Sequence, residues 1–256
     1  MNTVSYSVDD SICTITIERP ERRNAVDGVT ATALLEAFER FEADGALRVA
    51  ILTGAGGHFC GGADLKAIGD PQRRNRLDPR GQGPGPMGPS RMALRKPLIA
   101  AVEGYAVAGG LELALLADLR VASEAAVFGV FCRRWGVPLI DGGTVRLPRI
   151  VGMGRALDLI LTGRAVSAAE AHAIGLVNRV TVPGAALSEA IALARQIAAF
   201  PQGCMLADRK SAYAQWDLPL ADALTQEGAW GVPIVAAEGV AGAAKFASGA
   251  GRHGAF

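Results

Sequence analysis

The chain has 256 residues, of which 50% are hydrophobic and 5% aromatic, and 26 basic residues nearly cancel 25 acidic ones for a net charge of +1. So much apolar content excludes intrinsic disorder. The balanced charge argues against a dedicated nucleic-acid binder, and the length suits one large domain or a core with an extension.

Residues 4–8 and 12–18 read as paired strands around Asp9 and Asp10, because apolar and polar residues alternate from Ile12 to Glu18. Asp27 is a candidate N-cap for a helix with Leu34, Leu35, Phe38 and Phe41 on its apolar face. Residues 48–53 form a short buried strand, and the glycine-rich loop Gly54 to Gly62 follows it. The segment 69–90 mixes five prolines with glycines, so no regular element is expected there. A long irregular segment of this kind is either a surface insertion or an active-site lid. Residues 96–102 are a second buried strand, followed by a glycine-rich turn at 104–110 and a helix from about Leu111 to Ala117. A strand resumes at Leu119–Ala122. The most apolar stretch, 97–122, contains Glu103, Glu112, Asp118 and Arg120, so it is not expected to span a membrane. A helix is expected at 154–161, and Ser167 with Glu170 makes a capping box for another that stops at Gly175. Residues 176–182 read as a final strand. From Gly184 onward the pattern is helical, with breaks expected at Pro201, Pro219 and Pro233.

The N-terminus shows no basic region leading into an apolar one, so no signal peptide is expected. The four cysteines form no CxxC pair, which fits reduced thiols in the cytoplasm. Three scattered histidines offer no metal-ligand spacing, and no metal is expected.

The segments 48–66 and 96–117 share one organisation: apolar strand, glycine-rich turn, helix start. Such turns expose N–H groups at a helix N-terminus, where the peptide dipole favours negative charge. Two of them facing one point could give one oxygen two donors, worth roughly 3–4 kcal/mol each when that oxygen gains charge. The alternative is that both turns serve only tight strand–helix packing. Neither a GxxxxGK[ST] loop nor a G-x-S-x-G elbow is present.

The stretches Phe59-Cys60-Gly61-Gly62-Ala63-Asp64-Leu65-Lys66, 96–114 (through Gly109-Gly110-Leu111-Glu112) and 142–152 (Gly142-Gly143-Thr144-Val145-Arg146-Leu147-Pro148) occur in this order. With Arg19-Pro20, Asn24-Ala25 and residues 161–164 and 171–178, the chain resembles the crotonase (enoyl-CoA hydratase/isomerase) superfamily over roughly 5–250. The resemblance implies an α/β fold, a spiral of ββα repeats with a helical C-terminal region used in trimerisation. The core would run over 1–190 and the helical region over 191–256. It implies an acyl-CoA thioester as substrate, no cofactor beyond the coenzyme A carried by that substrate, and a homotrimer or hexamer. It implies the backbone N–H groups of Ala63 and Gly109 as the oxyanion hole, and Ala25, Asp64 and Leu65 lining the coenzyme A cleft.

Hydration of a 2-enoyl thioester needs water at Cβ and a proton at Cα, work suited to two carboxylates. In hydratases of this family one glutamate lies three residues after the oxyanion-hole glycine, where this chain has Glu112. The second follows a Phe-Gly-x-Pro motif. Here that segment is Phe128-Gly129-Val130-Phe131-Cys132, so a cysteine replaces the carboxylate. Cys132 is expected as a small buried residue at the substrate site. Asp141 occupies a position that carries a catalytic aspartate in dienoyl-CoA isomerases and a benzoyl-CoA dehalogenase, and could partner Glu112. Its other reading is a turn aspartate before Gly-Gly. Arg133 and Arg134 either shape the pocket, touch a phosphate or are solvated. The expected function is enoyl-CoA hydratase-like, a lyase activity. Double-bond isomerisation by Glu112 or Asp141, and a non-catalytic acyl-CoA binder, remain open.

Overall fold

The computed structural model describes residues 2–249. The chain opens with strands β1 (Val4–Asp9) and β2 (Ile12–Ile17), which pair antiparallel across the left-handed residue Asp10. Helix α1 (Gly28–Ala43) begins where expected, the Asp27 carboxylate accepting from the Thr30 N–H at 3.0 Å. It buries Leu34, Phe38 and Phe41, and Leu35 is only partly covered. Then follow β3 (Val49–Gly54), β4 (Leu98–Val102), β5 (Tyr105–Val107), α2 (Gly109–Leu116), β6 (Leu119–Ser123) and β7 (Val127–Gly129). Helices α3 (Gly143–Val151) and α4 (Met153–Thr162), strand β8 (Val166–Ser167), helix α5 (Ala168–Ala173), strand β9 (Arg179–Thr181) and helix α6 (Ala186–Ala199) complete this part.

The strands form two sheets. The larger has the order β1-β2-β3-β4-β6-β9, parallel throughout except at β1–β2. The smaller has the order β5-β7-β8. Two successive units, β4-β5-α2 and β6-β7-α3, each give one strand to the large sheet, one short strand to the small sheet, then a helix. Central strands β3 and β4 are buried on both faces, which is why they read as unbroken apolar runs rather than alternating ones.

Several expectations are corrected. Part of the turn expected at 104–110 is strand β5, paired parallel with β7. The single helix expected near 154–161 is preceded by α3, and the final strand shrinks to β9. The segment 69–90 does hold a short 3-10 helix at its end, Pro89–Arg91, and its last six residues are buried.

Contacts within the chain divide it into two compact units, residues up to Gln196 and from Ile197 onward, the division falling inside α6. The second unit contains α7 (Gln202–Ala214), α8 (Leu220–Ile234) and α9 (Val240–Ala247). Pro201 and Pro219 precede α7 and α8 as expected of residues without an N–H. Pro233 does not break α8, because the helix widens into a π-helical segment, Val235–Gly239, and continues into α9. No helix among the described residues is long and apolar enough to cross a membrane.

Candidate active site

The two glycine turns lie side by side. Cys60 bridges to Ala106 of β5: the Cys60 N–H donates to the Tyr105 carbonyl at 2.8 Å and the Val107 N–H to the Cys60 carbonyl at 3.1 Å. Gly62, at φ +95°, lies so close to the second turn that a Cβ there would fall 2.9 Å from Ala108 Cβ and 3.1 Å from Gly109 N. Only glycine meets both demands. Ala63 is bridged in parallel to Val26, whose N–H donates to Gly62 and whose carbonyl accepts from Asp64. The alternation of a parallel ladder then turns Ala63's own N–H away from Val26. Across from it, Ala108 reverses the chain from β5 into α2 at φ +53°, ψ −126°, a conformation that costs an alanine about 1–3 kcal/mol. The Gly109 N–H that follows opens α2, on the positive end of the helix dipole. Two free donors are thus presented from adjacent turns.

A buried ion network braces the first turn. The Arg19 guanidinium sits 2.9 Å from Asp64 and 3.4 Å from Asp27, and also donates to the Ala25 carbonyl. Arg73 reaches Asp27 at 2.6 Å. Buried charges need such partners, since an unpaired one is strongly destabilising. The Asp64 carboxylate is buried against Arg19 and accepts from the Lys66 N–H at 3.1 Å, so its side chain braces the turn. Leu65 is exposed and Ala25 partly so, positions compatible with lining a cleft. Asn24 ties the same region together: its amide donates to the Ala55 and His58 carbonyls and its oxygen accepts from the Arg19 N–H.

Helix α2 is buried at all eight positions, and Glu112 is its sole charged residue. Glu112 Oε1 accepts from the backbone N–H groups of Asp141 and Gly143, both at 2.8 Å. Burial pushes its carboxyl up to about 7, and the negative charge of Asp141 adds to the rise; the two N–H donors and Arg146 oppose it. Asp141 is also buried. Its Oδ1 accepts from the Ser90 hydroxyl and from the Met87 N–H at 2.9 Å. Burial raises its proton affinity, and Ser90, Met87, Arg91 and Arg146 pull it back. The second oxygens, Glu112 Oε2 and Asp141 Oδ2, accept from no group of the described chain. Among the described residues, the sealed and unpartnered side-chain atoms lie elsewhere, at Tyr6 and His58. The arrangement is a pair of carboxylates with one oxygen each fixed and one free, a single helical turn from the Gly109 N–H.

Cys132, in a short 3-10 helix over Phe131–Trp135, is buried. Burial and then the charge of Glu112 raise its thiol, which places it electrostatically beside Glu112. Arg133 and Arg134 are exposed and held from behind by the chain. They donate to the Ile160 and Gly163 carbonyls, and Arg134 stacks on Phe131 at 3.9 Å. The partners that sequence reading missed are Met87, Ser90 and Arg146. Among the described residues, no three His, Cys, Asp or Glu side chains gather as metal ligands would.

The enoyl-CoA hydratase/isomerase family model matches residues 7–237. Over 194 residues the chain is 42% identical to the enoyl-CoA hydratase EchA19 of Mycobacterium tuberculosis, covering 72% of this chain and 70% of that protein. Over 195 residues it is 42% identical to the carnitinyl-CoA dehydratase of Salmonella arizonae, covering 73% and 70%. The crystal structure of enoyl-CoA hydratase EchA1 from Mycobacterium marinum superposes with a TM-score of 0.89 at 40% identity, over 96% of each chain. With the spiral of strand pairs and helices, the adjoining glycine turns and the buried glutamate, these likenesses establish that the chain belongs to the enoyl-CoA hydratase/isomerase (crotonase) family and is an acyl-CoA-processing enzyme of the enoyl-CoA hydratase type.

Proposed function

We propose that the enzyme adds water reversibly across the 2,3 double bond of an enoyl-CoA thioester, with Glu112 and Asp141 as its proton carriers. One observation carries this reading: the Asp141 N–H donates to Glu112 at 2.8 Å, so a second buried acidic residue packs on Glu112 one turn from Gly109, and its charge acts on that carboxyl. The thioester oxygen accepts from the Ala63 and Gly109 N–H groups. Because the charge of Asp141 raises Glu112, Asp141 loses its proton first and Glu112 keeps its own near neutrality. Asp141 then takes a proton from water as the water oxygen bonds to Cβ. The π electrons move through Cα to the thioester oxygen, and the enolate is held by the two N–H donors. Glu112 gives its proton to Cα. Asp141 has gained the proton Glu112 lost, and exchange with solvent resets the pair. Every group in this sequence comes from the chain or the substrate, so the chemistry calls for no added cofactor. Ala25 and Leu65 line the coenzyme A side of the cleft in this reading.

The test is a panel of 2-enoyl-, 3-enoyl-, dienoyl- and 3-hydroxyacyl-CoA thioesters with products identified by mass. Gain of one water by a 2-enoyl thioester supports hydration. A shifted double bond at unchanged mass assigns isomerisation to the same carboxylates. Turnover of none retires the reading in favour of an acyl-CoA binder.

We also infer a homotrimer, or a hexamer as a dimer of trimers. The helices of the second unit leave Leu220, Leu224, Val232, Val235, Val240 and Phe246 more than half exposed, apolar surface of the kind that marks association. Light scattering with a monomer mass would refute it. The four cysteines are free, which suits the reducing cytoplasm.

A further inference from the structure

The Pro- and Gly-rich stretch 69–90 runs over the surface as far as residue 84, and its last six residues turn inward and end under Asp141. Its outer part is pinned to the start of α1. The Gly28 N–H donates to the Arg73 carbonyl at 2.7 Å, and the Asn75 amide donates to the Val26 and Pro86 carbonyls at 3.1 and 2.8 Å. The Gly88 N–H then closes a turn onto the Gly85 carbonyl at 2.9 Å. The turn delivers Ser90, fully buried, to Asp141 Oδ1, and the Met87 N–H reaches the same oxygen at 2.9 Å. Arg146 holds both members of the pair by their backbones, donating to the Ser90 carbonyl at 2.7 Å and the Asp141 carbonyl at 3.1 Å. Gly85 is required for this approach, because a Cβ there would overlap Ser90 Oγ and fall 2.7 Å from Asp141 Oδ1.

From this juxtaposition we infer that Ser90 is a positioning residue for the reaction: its hydroxyl fixes Oδ1 of the ionised Asp141 and leaves Oδ2 aimed at the reacting water. The inference rests on Asp141 being the base. A hydroxyl that donates to a carboxylate favours the ionised form. Its loss therefore raises the proton affinity of Asp141, and the acid limb of the rate profile moves to higher pH. The other groups acting on this carboxyl are Glu112 from α2, Arg146 from α3, Arg91 from the 3-10 helix after the turn, and Cys60 from the loop after β3. The Cys60 thiol, pushed up to about 12 by burial, stays neutral. Glu112, held up to about 7, titrates near neutrality and governs the opposite limb.

The experiment is the pH profile of kcat/KM for crotonyl-CoA with Ser90→Ala, Ser90→Thr, Ser90→Cys and Asp141→Asn. Ser90→Ala is expected to lose roughly tenfold or more in kcat, the scale of one hydrogen bond to a charged group, with an unchanged KM and the acid limb moved upward. Ser90→Thr, which keeps the hydroxyl, is expected to restore the limb. Should the alanine variant not fold, Ser90→Cys keeps the volume with a weak donor and must show the same upward limb. A wild-type limb in the cysteine or alanine variant overturns the inference. So does a lowered melting temperature with a raised KM and the limb unmoved, since that describes packing alone. Near-normal turnover of Asp141→Asn removes the base assignment and the inference with it. An inactive Asp141→Asn beside a wild-type Ser90→Ala profile overturns the role of Ser90 alone.

Discussion

Replacing Glu112 by Gln should make the stability of the protein less dependent on pH while destroying its activity. The amide oxygen can still accept from the Asp141 and Gly143 N–H groups, each at 2.8 Å, so the change removes a titrating proton and little else. In the wild type, burial in the apolar helix α2 and the neighbouring Asp141 lift this carboxyl from its usual 4.5 to about 7. At about 1.4 kcal/mol per tenfold in proton affinity, keeping Glu112 ionised in the fold costs about 3 kcal/mol. The folded state binds this proton more tightly than the unfolded chain. Its stabilising contribution is therefore full below pH 4.5 and is lost as pH rises through about 7. Between pH 5 and pH 8 the wild type should lose about 2.5 kcal/mol relative to the Gln variant by this linkage. Urea unfolding followed by circular dichroism, at one protein concentration and several pH values, measures the difference. A stability gap that does not change with pH would refute the placement of Glu112 as a carboxyl held protonated by burial. Turnover should fall by about a hundredfold or more in the variant, the scale of a lost proton carrier. Undiminished turnover would remove Glu112 from the chemistry.

Three further outcomes are expected. Cys132→Ser should stay within a few-fold of wild-type turnover, because burial and Glu112 keep the thiol protonated at neutral pH. A hundredfold loss would make that thiol a proton carrier. Arg19→Ala leaves Asp64 and Asp27 without their shared buried cation and should lose about 3–5 kcal/mol in unfolding experiments; a change near zero would show that the network is not under load. Gly62→Ala forces a methyl to 3.1 Å from Gly109 N at φ +95° and should cut kcat sharply while the circular dichroism spectrum stays native. Wild-type kcat would show that the two turns need not meet.

Much of the fold was readable because its signals are local. Strands β3 and β4 announced themselves as apolar runs, since a parallel strand covered on both faces has no polar side to show. Asp27 and Ser167 marked helix starts, since each caps an N–H three residues away. Strand β5 stayed hidden. It has three residues, and its partners are β7, more than twenty residues later, and Cys60, more than forty residues earlier. Pro233 misled because a break was the expected local response, whereas the helix absorbed it by widening.

Glu112 stood out in sequence because a charge inside an otherwise apolar helix needs a reason, and the motif around Gly109 supplied one. By itself the sequence determined the spiral of strand and helix, the two glycine turns and the identity of the candidate carboxyl groups. The tertiary structure alone decided that Asp141 lies against Glu112, that Asp64 faces Arg19, and that a loop of glycines and prolines becomes the seat of a carboxylate. Ser90 stands 51 residues from Asp141, and Arg146 stands 56 from Ser90. No periodicity or spacing links them. Burial and the loss of water create the link, since a carboxylate taken out of solvent must find its donors wherever the fold brings them.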